Sequence, residues 1–106
     1  MITELARIQI KPDAEADFVA AVERSVPLFK SAKGNLGVSL SKVIEEPNVF
    51  LLTVGWQTLE DHTVIFRGSD AFEKWRSNVS PYFAETPTVT HLQPQVSAWS
   101  SSREDV

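Results

Sequence analysis

Apolar side chains fall on one face of residues 2–10 at a period of two, at Ile2, Ala6, Ile8 and Ile10, a pattern that predicts a β-strand with one buried face. After Pro12 the spacing changes to three and four residues, which is typical of an amphipathic helix. The apolar positions of this helix are Phe18, Val22, Val26 and Phe29. Asp13 is placed to cap the start of the helix and Gly34 to end it. Pro27 predicts a kink inside it.

Two further apolar segments flank Pro47 and Asn48, which together are a turn signal, and they therefore predict a hairpin. The segments span residues 37–46 and 49–57. The second of these strands is apolar on both of its faces. A strand of this kind has to be covered on both sides.

A helical region follows the hairpin. Residues 58–61, Thr-Leu-Glu-Asp, resemble a capping box. The helix that they open carries His62 and Phe66 one turn apart, and hence on one face. Ser69 is placed to cap a further helix, whose inner side carries Phe72, Trp75, Arg76 and Val79. Residues 88–96 predict a last strand, and the proline within it favours an edge position or a bulge.

The predicted order of elements is β-α-β-β-α-β, which is the ferredoxin-like arrangement of the α+β class. Its single antiparallel sheet carries helices on one face only. The other face, with Phe50, Leu52 or Leu51 on it, is too apolar to stay in water. We therefore expect a homodimer in which two sheets pack face to face. The domain is expected to span residues 1–98, followed by a polar tail over residues 99–106.

Composition narrows the partners and cofactors. The chain has 106 residues, enough for one domain, and its net charge of −4 argues against a nucleic-acid partner. It has no cysteine, only two histidines and no glycine-rich phosphate loop, so neither a metal nor another cofactor is predicted. Its longest apolar run is too short to span a membrane. Without a signal-peptide pattern at its start, the expected location is the cytoplasm.

Three segments carry a resemblance to a known family. They are ITELARIQIKPDAEADF at the start, FLLTVGWQTLEDHTVIFRGSDAFEKW in the middle and PTVTHLQP near the end. Over residues 1–96 the chain resembles the antibiotic biosynthesis monooxygenase family of the dimeric α/β-barrel superfamily. The resemblance implies a dimeric α/β barrel that oxidises a small electron-rich aromatic compound, such as a phenol or quinol, with O₂ and without a cofactor.

This chemistry needs a base, a positive group for a developing anion and a dry pocket. His62 is the candidate base, because the pKa of histidine lies near neutral pH. Arg67 is the candidate partner for a phenolate. The candidate substrate-binding residues are Trp56, Phe66, Phe72, Trp75 and His91.

Each of these residues also has a purely structural interpretation. Trp56, Phe72 and Trp75 have the residue types of a hydrophobic core. His62 and His91 are also interpretable as hydrogen-bonded structural histidines, and Arg67 as a complement to a helix C-terminus. The alternative function is accordingly a non-catalytic dimer that binds small ligands or is associated with stress.

Overall fold

The computed structural model describes residues 1–96 and confirms the ferredoxin-like α+β fold. Four strands form one sheet in the order β2-β3-β1-β4, and every neighbouring pair is antiparallel. The elements are β1 (Ile2–Gln9), α1 (Glu15–Lys30), β2 (Asn35–Lys42), β3 (Val49–Trp56), a π-helical turn (Asp61–Phe66), α2 (Asp70–Val79), a 3₁₀ turn (Ser80–Tyr82) and β4 (Thr88–Leu92). The predicted domain end at residue 98 and the tail over 99–106 lie outside the described residues.

The core lies between the sheet and the helices. Alternate residues of β1 and β3 face the helices, and strand register places Ala6 opposite Leu52 and Ile8 opposite Phe50. The ring of Phe18 on α1 packs on Phe50, with a centroid separation of 5.2 Å. Phe50 and Leu52 therefore belong to the helix-covered face.

The opposite face of the sheet carries a mixed set of side chains. Leu5, Leu51 and Thr53 lie on it and remain half-buried. No helix of residues 1–96 packs on these side chains, and none of the helices there is long and apolar enough to cross a membrane. Of the three residues that the sequence offered for an uncovered face, only Leu51 lies there.

Helix α1 departs from the prediction at both ends and on its buried stripe. Asp13 has a φ of 64° and makes no capping bond, because the helix begins after Ala14. The helix ends at Lys30, before Gly34. Ser25 takes the buried position expected for Val26, because its hydroxyl donates to the Ala21 carbonyl at 2.7 Å and so loses no hydrogen bond inside the core.

Gly34 instead shapes the turn that leads into β2. Its φ of 75° lies in the left-handed region, and a Cβ added there would lie 2.6 Å from Cγ of Asp61. Asp61 is buried and lies beside His62 in the chain. The turn before β2 therefore packs directly against the π-helical turn, and only glycine fits at this contact.

We expect Gly34→Ala to lower the free energy of unfolding by about 2 kcal/mol or more, since the left-handed conformation and the collision both add cost. Urea denaturation measures the change. In an Asp61→Ala background the side chain ends at its Cβ, 3.0 Å from the added methyl group, so the worst of the collision is removed and the same glycine substitution should cost only about 1–2 kcal/mol. An equal loss of unfolding free energy in both backgrounds would show that the contact with Asp61 does not contribute to the cost of the substitution.

Candidate functional site

A cavity of about 330 Å³ opens between the sheet and α2. Most of its wall is apolar, and four residues bring polar or charged groups to it: Glu4, His62, Arg67 and Arg76. Its remaining lining residues are Ala6, Ile8, Leu52, Phe72, Trp75, Val79, Phe83, Pro87 and Val89. An apolar pocket with a few converging polar groups is the usual form of a small-molecule site.

A second cavity, of about 400 Å³, lies between α1 and β2. Its charged groups include Glu15 and Lys42, whose side chains form an ion pair at 2.7 Å. No histidine lines it. Of these two cavities, only the first is lined by candidate site residues named from the sequence.

Strand pairing brings the polar groups of the first cavity together. Glu4 on β1 lies directly opposite His91 on β4 and opposite Val54 on β3. Trp56 is two residues beyond Val54 and so lies on the same face, diagonal to Glu4. Its indole Nε1–H donates to Glu4 Oε1 at 3.1 Å. The buried carboxyl group is thus held by its neighbour on the sheet.

The π-helical turn places His62 over this pair. Thr58 Oγ1 accepts from the Asp61 amide at 3.1 Å, as the capping pattern predicts. The turn then widens, because the Arg67 amide donates to the His62 carbonyl, five residues back, at 3.1 Å. Such wide turns are frequent at functional sites. Here the turn stacks the His62 ring on Trp56, with centroids 5.3 Å apart and planes 15° apart.

Both ring nitrogens of His62 are engaged. Nε2 lies 3.2 Å from Glu4 Oε1, and Nδ1 lies 2.8 Å from His91 Nε2. An ionised Glu4 accepts the Nε2–H, which leaves Nδ1 to accept from His91. The side chains of Glu4, His62 and His91 therefore form one hydrogen-bonded chain, called the Glu-His-His chain below. It runs from the buried carboxyl to an exposed histidine on the edge strand.

Burial sets the protonation states of His62 and Glu4. The pKa of His62 falls to about 4, mainly because burial disfavours the imidazolium, and the charges of Arg67 and His91 lower it further. Burial raises the pKa of Glu4, while the bond from Trp56 and the charge of Arg67 act against this rise. Because its pKa is lowered in this way, His62 is neutral at neutral pH.

The candidate residues from the sequence fall into three groups. Arg67, Phe72 and Trp75 line the cavity together with His62. Trp56 and Phe66 are buried in the core beneath His62 and are not among the residues that line the cavity. His91 does not line it either, and meets the site only through His62.

Two cavity residues, Glu4 and Arg76, are not among the candidate site residues predicted from the sequence. Glu4 occupies an apolar position of the period-two pattern over residues 2–10 and is only 6% exposed. A charged residue on a buried strand face is the signal that marks it. Asp61, beside His62 in the chain, faces Lys33 at 3.8 Å and takes no part in the site.

The chain of hydrogen bonds does not form a metal centre. Its central imidazole uses both nitrogens, on opposite edges of the ring, so the three side chains do not converge on one point. Among residues 1–96 no group of three potential ligands is arranged around a common centre.

Comparison with known proteins shows the family to which the chain belongs. The family model for antibiotic biosynthesis monooxygenase matches residues 1–78. The chain belongs to this family. The antibiotic biosynthesis monooxygenase match covers β1, β3 and the π-helical turn, and thus Glu4 and His62, but ends before β4 and His91.

Individual relatives agree with this assignment. YczJ of Bacillus subtilis, whose own function is not assigned, is 40% identical over 93 residues, which cover 88% of this chain and 98% of YczJ. A solved structure from Bordetella bronchiseptica, assigned to the same family, is 44% identical with a TM-score of 0.88, covering 90% of this chain and 97% of that one. SnoaB of Streptomyces nogalater, a cofactor-independent oxygenase, shares the fold at a TM-score of 0.78 and 13% identity, with coverage of 92% and 95%.

The lowered pKa of His62 predicts how stability depends on pH. Its value of about 4 in the folded protein lies below the ordinary 6.5, so the unfolded chain binds a proton first as the pH falls through this window. The neutral His62 thus contributes stability that is complete above pH 6.5 and is lost on the way to pH 4. We expect the wild type to lose about 1–2 kcal/mol more than His62→Gln between pH 7.5 and pH 5.

Urea denaturation of both proteins at the two pH values measures this difference. Glu4 is present in both. Its raised pKa acts in the opposite direction, with stability lost as the pH rises, and this contribution largely cancels in the comparison. Equal losses in the two proteins would mean that His62 is not held neutral by burial.

Proposed function

We propose that this protein is a cofactor-independent monooxygenase that oxidises a small electron-rich aromatic compound of the phenol or quinol type with O₂. Membership of the antibiotic biosynthesis monooxygenase family supports the reaction class. SnoaB, which shares the fold, is named as an oxygenase of this kind. The observation that carries the proposal is the buried, hydrogen-bonded pair of Glu4 and His62 at the wall of a largely apolar cavity.

The reaction balances without an external reductant. A phenol gives up its proton to a base, and the phenolate donates one electron to O₂, which reacts slowly with the neutral molecule. The phenoxyl radical and superoxide then combine at a ring carbon, which gives a peroxide. When its O–O bond breaks, one oxygen remains on carbon as a carbonyl of the quinone and the other leaves as water. The water carries the former phenolic and ring C–H hydrogens.

The cavity provides what these steps require. The carboxyl–imidazole pair of Glu4 and His62 supplies the basic end of the cavity. Arg67 lies close enough for its charge to act on both groups, and it stabilises the phenolate and the peroxide anion. Phe72 and Trp75 supply an apolar wall that keeps water from the reactive intermediates.

Turnover is tested by incubating purified protein with 1,4-dihydroxynaphthalene and related phenols while O₂ is measured with an electrode. We expect one O₂ consumed per quinone formed, with one ¹⁸O atom from labelled O₂ in the product. The matched methyl ethers have no acidic proton and should not react. Ligand-induced thermal shifts without O₂ consumption across the panel would contradict the proposal and favour the non-catalytic ligand-binding function.

We also propose that the protein is a homodimer joined through the sheet face opposite the helices. Leu5 and Leu51 lie half-buried on that face, and Leu92 is 48% exposed at its edge strand. Apolar groups clustered on an open sheet favour association. The family resemblance implies the same arrangement.

Light scattering should give about twice the 11.8 kDa mass of one chain. Leu51→Lys places a charge in the proposed interface and should shift the protein towards the monomer while the circular dichroism spectrum stays folded. The control is Val64→Lys, at an apolar side chain that is 63% exposed on the π-helical turn. A wild type that stays monomeric at micromolar concentration would contradict the dimer.

A further inference from the structure

His62 has no free lone pair with which to meet a substrate. Its Nε2 is occupied by Glu4 and its Nδ1 by His91, at 3.2 and 2.8 Å. One face of its ring is stacked on Trp56. A general base has to lie within hydrogen-bond reach of the proton that it removes. In this arrangement the imidazole reaches the cavity without a nitrogen to offer it.

Glu4 is engaged on one oxygen only. Oε1 accepts the Trp56 indole N–H at 3.1 Å and faces His62 Nε2. The other oxygen, Oε2, has no hydrogen-bond partner within residues 1–96, and it is not among the enclosed unsatisfied atoms there. Since the residue lines the cavity, Oε2 is the basic atom of the Glu-His-His chain that remains for a ligand.

We propose that Glu4 is the catalytic acid–base residue of this site and that His62 and Trp56 position its carboxyl group. The proposal rests on the monooxygenase function proposed above and names the residue that moves its protons. It reverses the roles expected from the sequence, where His62 was the base. His62 becomes a positioning residue, since its Nε2–H fixes Oε1 and its own orientation is fixed by His91.

The proton movements balance with Glu4 as the single shuttle. Oε2 first takes the phenolic proton, and the phenolate charge faces Arg67. After O₂ has added to the ring carbon, the carboxylic acid returns that proton to the peroxide anion. The carboxylate next removes the ring C–H proton as the carbonyl forms and the O–O bond breaks. The departing hydroxide takes this proton and leaves as water, so Glu4 ends in its starting state.

The surroundings of Glu4 suit this alternation. Burial raises its pKa, which makes the carboxylate a stronger base than an exposed glutamate. The two N–H groups on Oε1 and the nearby charge of Arg67 stabilise the carboxylate in turn. From β4, His91 faces Glu4 only through the intervening His62. The carboxyl group is thereby held where it can exchange a proton in both directions.

The first test uses 4-nitrophenol, which O₂ does not oxidise and whose phenolate absorbs near 400 nm. Mixed with the wild type slightly below its own pKa, the probe should show a phenolate band that grows to saturation as protein is added. Glu4→Gln keeps the acceptor for Trp56 and His62 but has no basic oxygen, so the growth of the phenolate band above that of the free probe should be lost. The control, Glu45→Gln in the exposed turn between β2 and β3, should behave as the wild type.

The second test compares turnover of a substrate found in the O₂ assay. Glu4→Gln should lower kcat by about 10²-fold or more with little change in KM. His62→Gln still offers an N–H to Oε1, so it should lose less, about tenfold, and shift the pH profile of kcat/KM. A greater loss in His62→Gln than in Glu4→Gln would overturn the assignment and restore His62 as the base.

The two tests separate this proposal from the function on which it rests. Probe ionisation that requires Glu4, in a protein that consumes no O₂ with any phenol, would uphold Glu4 as the base and refute the monooxygenase function. Equal probe ionisation in the wild type and Glu4→Gln would overturn the role of Glu4 whatever the turnover. A wild type that does not ionise the probe would overturn it as well.

Discussion

The site depends on one buried carboxyl group. A carboxyl that is only 6% exposed on a strand is costly unless hydrogen bonds replace its lost water. Glu4 obtains them from Trp56 on the neighbouring strand and from His62 on the turn above. These bonds require β1, β3 and the π-helical turn to hold a fixed relation. That relation places the π-helical turn over the sheet and forms the polar end of the cavity.

Two opposite pKa shifts, those of Glu4 and His62, describe the electrostatics of the site. Burial pushes the pKa of Glu4 up and that of His62 down, so both groups favour their neutral forms. Arg67 opposes the first shift and reinforces the second. Groups whose pKa values are displaced by burial and by a specific charge, at the wall of a cavity, are typical of catalytic sites. An anion formed in this cavity would meet two guanidinium groups, those of Arg67 and Arg76, and a largely apolar wall.

Most of the fold is predictable from local sequence patterns. The period-two and helical patterns, the turn at Pro47 and Asn48 and the capping position of Ser69 predict their elements, and the Ser69 hydroxyl accepts from the Phe72 amide at 3.2 Å. The buried face of α1 was predicted wrongly at one position, because serine can lie either in solvent or, when its hydroxyl is hydrogen-bonded, in the core. Ser25 is polar by composition, yet its hydroxyl bonds to its own helix and to the Asn78 amide, which lets it replace Val26 in the core. Such internal satisfaction is not visible in a hydrophobic pattern.

The site was harder to predict because it is made by long-range pairing. His62, Arg67, Phe72 and Trp75 lie close together in sequence and were found together. Glu4 and His91 are 87 residues apart and become neighbours only through the register of β1 with β4. Trp56 lies beneath His62 because of the pleat of β3, which a local sequence pattern does not show. The residue that we infer to be catalytic was therefore hidden within a strand pattern.

The most direct measurement of the central claim is the titration of the Glu4 side-chain carboxyl by ¹³C NMR, in the wild type and with a saturating phenol that O₂ does not oxidise. We expect the pKa of Glu4 in the free protein to lie above the ordinary glutamate value of 4.5. The Glu4 signal should change further when the phenol binds. In the His62→Gln variant, the same titration should give a different pKa for Glu4 from that of the wild type. A Glu4 carboxyl that titrates as an exposed glutamate does, and is indifferent to both the phenol and His62, would contradict the account.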